Sequence, residues 1–407
     1  MEKILKKKVL FLTQWFDPEP AQKGLQFSKE IKKNNFEVEV LTGFPNYPGG
    51  KFYKNFKIRI FSKKEIEGIV INRVILFPSH DNNFLNRCLN YITFAISVTF
   101  FGLFKIKKPD IIYVYHPPLT VGLAAIILKK FFNVPLVFDI QDIWPDSLAA
   151  TGMLDSKKLQ NIISFFCNLV YKSSDKIVVL SPGFKSLLVK RGVPSKKIIV
   201  IYNWSNIINP NEEYKNISIR KRDKFHIIFA GNIGKAQSLE TVIDSAEMLL
   251  NKSAGVEITI IGDGIELNKL KNKVRKKHIE NVNFVPRVPL NEIASYLKQA
   301  DLLLIHLRNE KLFEITIPSK TQSYMSMGKP ILMAVNGDAS ELIKESRSGI
   351  CCKPMDTLEL VRAILKVKKM KKSDLKLMGD NGKDFYQKNL SLTVGVKLLI
   401  KTFNSLS

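Results

Sequence analysis

The sequence is short of cysteine, histidine and acid. Its 407 residues hold four cysteines, five histidines and 37 Asp plus Glu against 63 Lys plus Arg, a formal net charge of +26. The cysteines (Cys88, Cys167, Cys351, Cys352) show no C-x-x-C spacing. A disulfide framework and a structural zinc site are thereby excluded, and a reducing cytosol is the expected setting. No run reaches the roughly 18 uncharged apolar residues of a clear spanning helix. Residues 88–104, CLNYITFAISVTFFGLF, come nearest, with polar Asn90, Thr93, Ser97 and Thr99 but no charge. Two readings stand for them: a buried helix, or one dipping into a single leaflet. The first apolar run, residues 9–12, is too short for a secretion signal and is soon followed by Gln14, Asp17 and Pro18. It reads as a first β-strand behind a basic leader. Zinc-finger spacing and ribonucleoprotein aromatic motifs are absent, which argues against nucleic acid as the reason for the charge. An anionic membrane surface and simple solubility are the other two uses.

Apolar residues make up 45% of the chain and charged residues 25%, which excludes disorder as the main state. Short runs rich in Val, Ile and Phe alternate with amphipathic stretches. Strands are expected at 8–13, 37–41, 70–75, 111–115, 136–140, 176–180 and 198–201. Residues 205–224 are polar and without period, as in a linker. The rhythm resumes at 225–230, 256–261, 282–285, 302–305, 330–334 and 349–351, with helices expected at 239–250, 265–277, 290–299 and 321–327. The pattern predicts two doubly wound α/β domains with parallel sheets. A terminal helix over about 390–407 could pack on either of them. Ligands in such sheets sit beyond the carboxyl ends of the strands, so residues just after each strand matter most.

Three turns in the second half invite an anion. Gly231-Asn232-Ile233-Gly234-Lys235 follows a strand and opens a helix. Glycine lets a backbone approach a phosphate, helix-start amides favour negative charge, and Lys235 adds a cation. The alternative is a turn shaped only by packing. Gly262-Asp263-Gly264 repeats the pattern. Arg287 stands between two prolines after a strand, either stacked on a flat ring or simply solvated. Pro318-Ser319-Lys320 precedes a short helix, another N-terminal anion site. Two cations and two amide-rich turns on one domain suit a diphosphate.

In the first half, His116 follows the strand 111–115 and Asp139 and Asp142 close the next one. A strand-end histidine suits a ligand-facing role, against the plain reading of a loop residue. Asp142 is the better placed of the two acids, and Asp146 could cap a helix. His80 and Asp81 form a second acid–base candidate. The loop 43–50, with Tyr47 between Pro45 and Pro48, could close on a substrate or be mere surface.

Several segments in order carry a resemblance: FLTQWFDPEPAQKG, LTGFPNYPGG, FPSHDNN, YVYHPPLTVG, FDIQDIWPDSLAATGML, VIYNWSN and IPSKTQSYMSMGKPIL. The chain resembles the family 4 retaining glycosyltransferases, and among them bacterial enzymes of O-antigen, capsule and colanic-acid assembly that move fucose- or N-acetylfucosamine-type sugars. The resemblance implies a GT-B fold, two Rossmann-like domains facing a central cleft. It implies an acceptor domain over 1–205 and a nucleotide-sugar domain over 206–389. Gly231, Asn232, Gly234, Lys235, Gly262, Arg287, Pro318, Ser319, Lys320 and Ser323 would bind the donor. Lys235 would hold the diphosphate, Arg287 would lie on the base, and Asn203 and Trp204 would mark the hinge. Tyr47, His80, Asp81 and His116 would meet the acceptor. His116, Asp142, Lys235 and Lys320 are the catalytic candidates.

Two departures stand out. Asn232 replaces the family's usual Arg, and Ser323 and Ile315 replace its paired Glu, with Glu314 out of register. The implied reaction is metal-independent hexosyl transfer, without a cofactor, from a nucleoside diphosphate, UDP ahead of GDP. The acceptor would be a polyprenyl-diphosphate-linked saccharide at the cytoplasmic face of an anionic inner membrane. A nonhydrolysing sugar-nucleotide 2-epimerase is the rival with similar architecture, and a basic nucleic-acid-binding protein is a more distant one.

Overall fold

The computed structural model describes residues 6–80, 84–150, 156–207 and 223–406. Most of the polar stretch 205–224, and Asp81, lie outside the described residues. The chain forms two compact units: Met1–Tyr202 with Gly395–Ser407, and Asn203–Val394.

The first unit is built on β1 (Lys7–Thr13), α1 (Leu25–Lys33), β2 (Phe36–Gly43), β3 (Phe61–Ile66), β4 (Ile69–Val74) and α2 (Phe84–Lys105). It continues through β5 (Ile111–Tyr115), α3 (Leu119–Phe132), β6 (Leu136–Ile140), α4 (Asp146–Ala150), α5 (Lys157–Ser173), β7 (Lys176–Val179), α6 (Pro182–Lys190) and β8 (Ile198–Val200). Eight strands run in the order β3-β4-β2-β1-β5-β6-β7-β8. All neighbours are parallel except the β3–β4 hairpin. Parallel strands covered on both faces need apolar side chains on both, and Val9, Leu10, Phe11 and Leu12 are fully buried.

β3 is the strand that the sequence pattern did not predict. Its residues, FSKKEI, are largely exposed on the sheet edge, so no apolar alternation marks it. Lysines suit such an edge because they discourage pairing with another chain.

The second unit follows the same logic. It runs through β9 (Phe225–Ala230), α7 (Glu240–Asn251), β10 (Val256–Ile261), α8 (Leu267–Lys276), β11 (Val282–Val285), α9 (Leu290–Leu297) and β12 (Leu302–His306). Then come α10 (Lys311–Glu314), α11 (Ser319–Ser326), β13 (Ile331–Ala334), α12 (Asp338–Ser346), β14 (Gly349–Cys351), α13 (Thr357–Lys368) and α14 (Lys372–Phe385). Its six strands are all parallel, in the order β11-β10-β9-β12-β13-β14.

After a π-helical turn at Tyr386–Leu390, α15 (Leu392–Asn404) brings the chain back to the first unit. There Phe403 is fully buried against the rings of Phe36 and Tyr113. In each sheet the winding reverses once, between β1 and β5 and between β9 and β12. These are the switch points where a doubly wound sheet opens to ligand.

Candidate functional site

In the second unit a cavity of about 700 Å³ opens beyond the ends of β9 and β12. Gly231, Asn232, Gly262, Arg287, Pro318, Ser319, Lys320 and Ser323 all line it. The backbone at Gly231 has φ 141° and at Gly262 φ 146°, a region open in practice to glycine alone. A Cβ on Gly262 would collide with the Gly231 carbonyl, and one on Gly231 would sit 2.7 Å from Lys320 Nζ. The two glycine turns and the start of α11 therefore converge, and the lysine occupies the space that a side chain at 231 would need.

Lys320 is the cation at this point. Its amine lies 4.6 Å from the centre of the Phe229 ring, and burial pushes its pKa down to about 8. No carboxylate pairs with it among the described residues. An amine so placed, beside the first-turn amides of an eight-residue helix, is complementary to a phosphate. Ser323 lies one turn along α11 and meets the hydroxyl of Ser205 at 3.4 Å. Tyr324, which sequence reasoning missed, is buried and accepts a hydrogen bond from the Ala230 N–H at 2.9 Å. It anchors α11 to the end of β9. Arg287 is exposed, and the neighbouring Val288 and Leu290 line the cavity with it and offer an apolar surface to a flat ring.

Lys235 and Gly234 do not line the cavity. Lys235 is exposed on a 3-10 turn, Lys235–Gln237. Gly234 is buried and donates its N–H to Gln237 Oε1 at 3.0 Å. Gln237, another residue not foreseen, does line the cavity. Glu314 is exposed on α10 and is not among the residues that line the cavity, whose carboxylate among the described residues is Asp263.

The first unit places its candidates in the segments that follow β2, β4, β5 and β6. His116 is 2% exposed, with its ring between Phe138 and Trp144. Burial pushes its pKa down to about 3, so the ring is neutral at physiological pH. Its Nδ1 is buried without a hydrogen-bond partner. The side chain is thus a neutral polar group in an apolar box, not a solvated loop histidine. Asp142 is open to solvent, while nearby protein still removes enough water to raise its carboxyl pKa. Asp139 is fully buried and occupied: Lys23, Tyr113 and Gln141 all donate to its carboxylate.

Tyr47 stacks on Trp15 with ring centres 4.6 Å apart, and His80 meets Tyr47 edge-on at the same distance. Trp15 and Tyr47 are half-buried and His80 is exposed, so the group forms a small aromatic ledge. Glu19 holds the Tyr47 loop. Its carboxylate accepts from the N–H groups of Asn46 and Tyr47 at 2.8 Å and of Phe16 at 3.2 Å. Desolvation nevertheless raises its pKa to about 7. Trp15, Glu19 and Lys23 all fall inside the segment FLTQWFDPEPAQKG; their positions in the motif were the only sequence signal for them.

Comparison with known proteins assigns the class. Residues 25–207 match the model described as Glycosyltransferase Family 4, and residues 210–385 match Glycosyl transferases group 1. The chain thus carries a family 4-like glycosyltransferase domain followed by a group 1 glycosyltransferase domain. Among curated relatives it is 25% identical over 324 residues to the probable glycosyltransferase WbjE of Pseudomonas aeruginosa, covering 77% of this chain and 80% of that one. It is also 25% identical to WcaI of Escherichia coli, a putative colanic acid biosynthesis glycosyl transferase, covering 72% of this chain and 74% of that one. Among solved structures, Anabaena HepE in complex with UDP matches with TM-score 0.71 and 16% identity, over 98% of this chain and all of that one. Sucrose-phosphate synthase from Thermosynechococcus elongatus matches with TM-score 0.72 and 13% identity, over 98% and 99%. These likenesses show the GT-B fold, two Rossmann-like α/β domains.

Proposed function

We propose that this protein is a retaining, metal-independent hexosyltransferase of surface-polysaccharide assembly, with a UDP-sugar as donor and a polyprenyl-linked saccharide as acceptor. An N-acetylated deoxyhexosamine such as N-acetylfucosamine is a candidate sugar. The observation that carries the reading is Lys320, a half-buried lysine that pairs with no carboxylate among the described residues and is set against the Gly231 turn, which itself meets Gly262. What supports UDP is its presence in the HepE complexes, and what supports the pathway is the description of WcaI.

Breaking the anomeric bond leaves negative charge on the departing diphosphate. Lys320 and the N–H groups at the start of α11 would stabilise that charge as it forms, the kind of preorganised interaction worth about 2.7–4 kcal/mol per donor. Lys235, exposed beyond the cavity lining, would add long-range attraction only. Asn232 would fill the place of the family's usual arginine without its charge. With retained configuration, the leaving phosphate itself can take the acceptor proton. Neutral His116 would then sit behind the acceptor side as an uncharged polar group at the end of β5, and the Trp15–Tyr47–His80 ledge can face the acceptor. The enzyme would work on the cytoplasmic face of the inner membrane, where such lipid-linked acceptors lie.

The test is a panel of nucleotide-sugars with release of the nucleoside diphosphate as readout. Release from a UDP-sugar that depends on a lipid-linked acceptor supports the reading. Altered UDP-sugar formed without acceptor would replace it with an epimerase.

A further inference from the structure

The outer layer of the first unit has an apolar face that no part of the described chain covers. Right-handed crossovers to β5, β6 and β7 place α2, α3 and α5 on one face of the sheet, with α3 packed against both of the others. Their inner sides are core: Phe94, Val98, Val121, Leu128 and Val170 are all fully buried. Their outer sides should be polar in a soluble protein.

They are not. On α2 the solvent side carries Leu89, Ile92, Ile96, Phe100 and Phe104, at helical spacing of three and four, with Phe104 69% exposed. On α3 it carries Ile127 and Phe131, the latter 61% exposed. On α5 it carries Leu159, Ile162, Phe165, Phe166 and Leu169, with Phe165 65% exposed. Singly exposed apolar residues are ordinary, but a dozen on three adjacent helices form a contiguous interaction surface.

The charges on the three helices themselves have one sign. The three helices contain no Asp or Glu, and their seven basic residues are Arg87, Lys105, Lys129, Lys130, Lys157, Lys158 and Lys172. All seven stand in the first or last turn of a helix, and Lys107 and Lys108 lie just past the end of α2. The lysines thus fringe the apolar face. Lys129 is paired with Asp175, just past α5, at 2.6 Å, while Lys130, Lys157, Lys158 and Lys172 are exposed, and a second copy of this chain would set like charges against those four. An anionic lipid surface answers both features, with acyl chains for the apolar centre and head groups for the fringe.

We infer that α2, α3 and α5 together form a monotopic docking face for an anionic bilayer. Among the described residues α2 is long and apolar enough to cross a membrane. Yet its inner side holds Asn90, buried and hydrogen-bonded to Asn46 and Phe77, so crossing would tear it from the core. The helix lies on the membrane and does not span it. The inference goes beyond the transfer reaction and does not depend on it.

The experiment is flotation of the purified full chain with vesicles of equal parts phosphatidylglycerol and phosphatidylcholine, or of phosphatidylcholine alone. No donor or acceptor is added, so the result stands apart from the outcome of any activity assay. Wild type floats with the anionic vesicles, and high salt or neutral vesicles lower the bound fraction at least about tenfold. Ile96→Glu, Phe131→Glu and Phe165→Glu each lower it by a similar factor, as does Lys130→Glu with Lys158→Glu. Circular dichroism confirms the folding of each variant, and Phe165→Leu retains binding. Failure of wild type to float overturns the proposal. Wild-type flotation by both Phe131→Glu and Phe165→Glu also overturns it, because α2 alone would then suffice. A lipid-free dimer abolished by Phe165→Glu would assign the face to a second copy instead.

Discussion

At the scale of single residues, the proposed chemistry of the second unit turns on Lys320. Its amine titrates near 8 because burial disfavours the charged form, and a bound diphosphate would raise that value again. UDP binding by the free enzyme should therefore be strongest below pH 8, where the amine is protonated. It should weaken by up to about tenfold per pH unit above that point. Calorimetric titration from pH 7 to 10 measures this, and Lys320→Arg should flatten the profile. Lys320→Ala should lower sugar transfer by about 100- to 1000-fold with the fold intact. Lys235→Ala should cost less than about tenfold, as expected of an exposed charge. Equal losses for the two variants, measured as UDP release, would return Lys235 to the centre of the site. The sequence put Lys235 first, as the residue that the resemblance sets on the diphosphate, with Lys320 beside it. Only burial separates them, and burial of Lys320 depends on Phe229 and Gly231, about ninety residues earlier.

Among the elements, strands buried on both faces were the most legible. β5, β6, β9 and β10 have the predicted bounds, because a run of Val, Ile, Leu and Phe between turn residues has few other uses. β3 was invisible because an edge strand of exposed lysines lacks that signature. The turn after β6 shows a different limit. Asp139 and Asp142 both looked available, yet Asp139 is spent on Lys23 and Tyr113, tying β6 to the segment after β1 and to β5. Lys23→Met should leave a buried carboxylate without its counter-charge and destabilise the first unit by about 3–5 kcal/mol. The midpoint of denaturant unfolding reports this, and an unchanged midpoint would refute the structural role of the pair. Gly262→Ala should disrupt the second unit, because its backbone is at φ 146° and a Cβ would strike the Gly231 carbonyl. Loss of UDP binding together with a lowered unfolding temperature is the expected result.

At the scale of the whole chain, the two compact units do not follow a single cut. The last residues, from Gly395 onward, belong with the first unit, where Val396, Leu399 and Phe403 are buried. Phe403→Ala should therefore destabilise the first unit by about 3–5 kcal/mol. Proteolysis should then open that unit first, although the substitution lies more than 200 residues from β8 in sequence. Two α/β units, glycine turns after the strands and an anion-ready segment at 317–320 were determined by the sequence itself. Periodicity, backbone freedom and turn chemistry are local properties that survive without a structure. Three things were decided only by tertiary structure: which lysine meets the cavity, which aspartate stays open, and how three helices far apart in the chain share one uncovered apolar face. Each depends on what is packed beside a residue, and in parallel sheets that neighbour comes from a distant part of the chain.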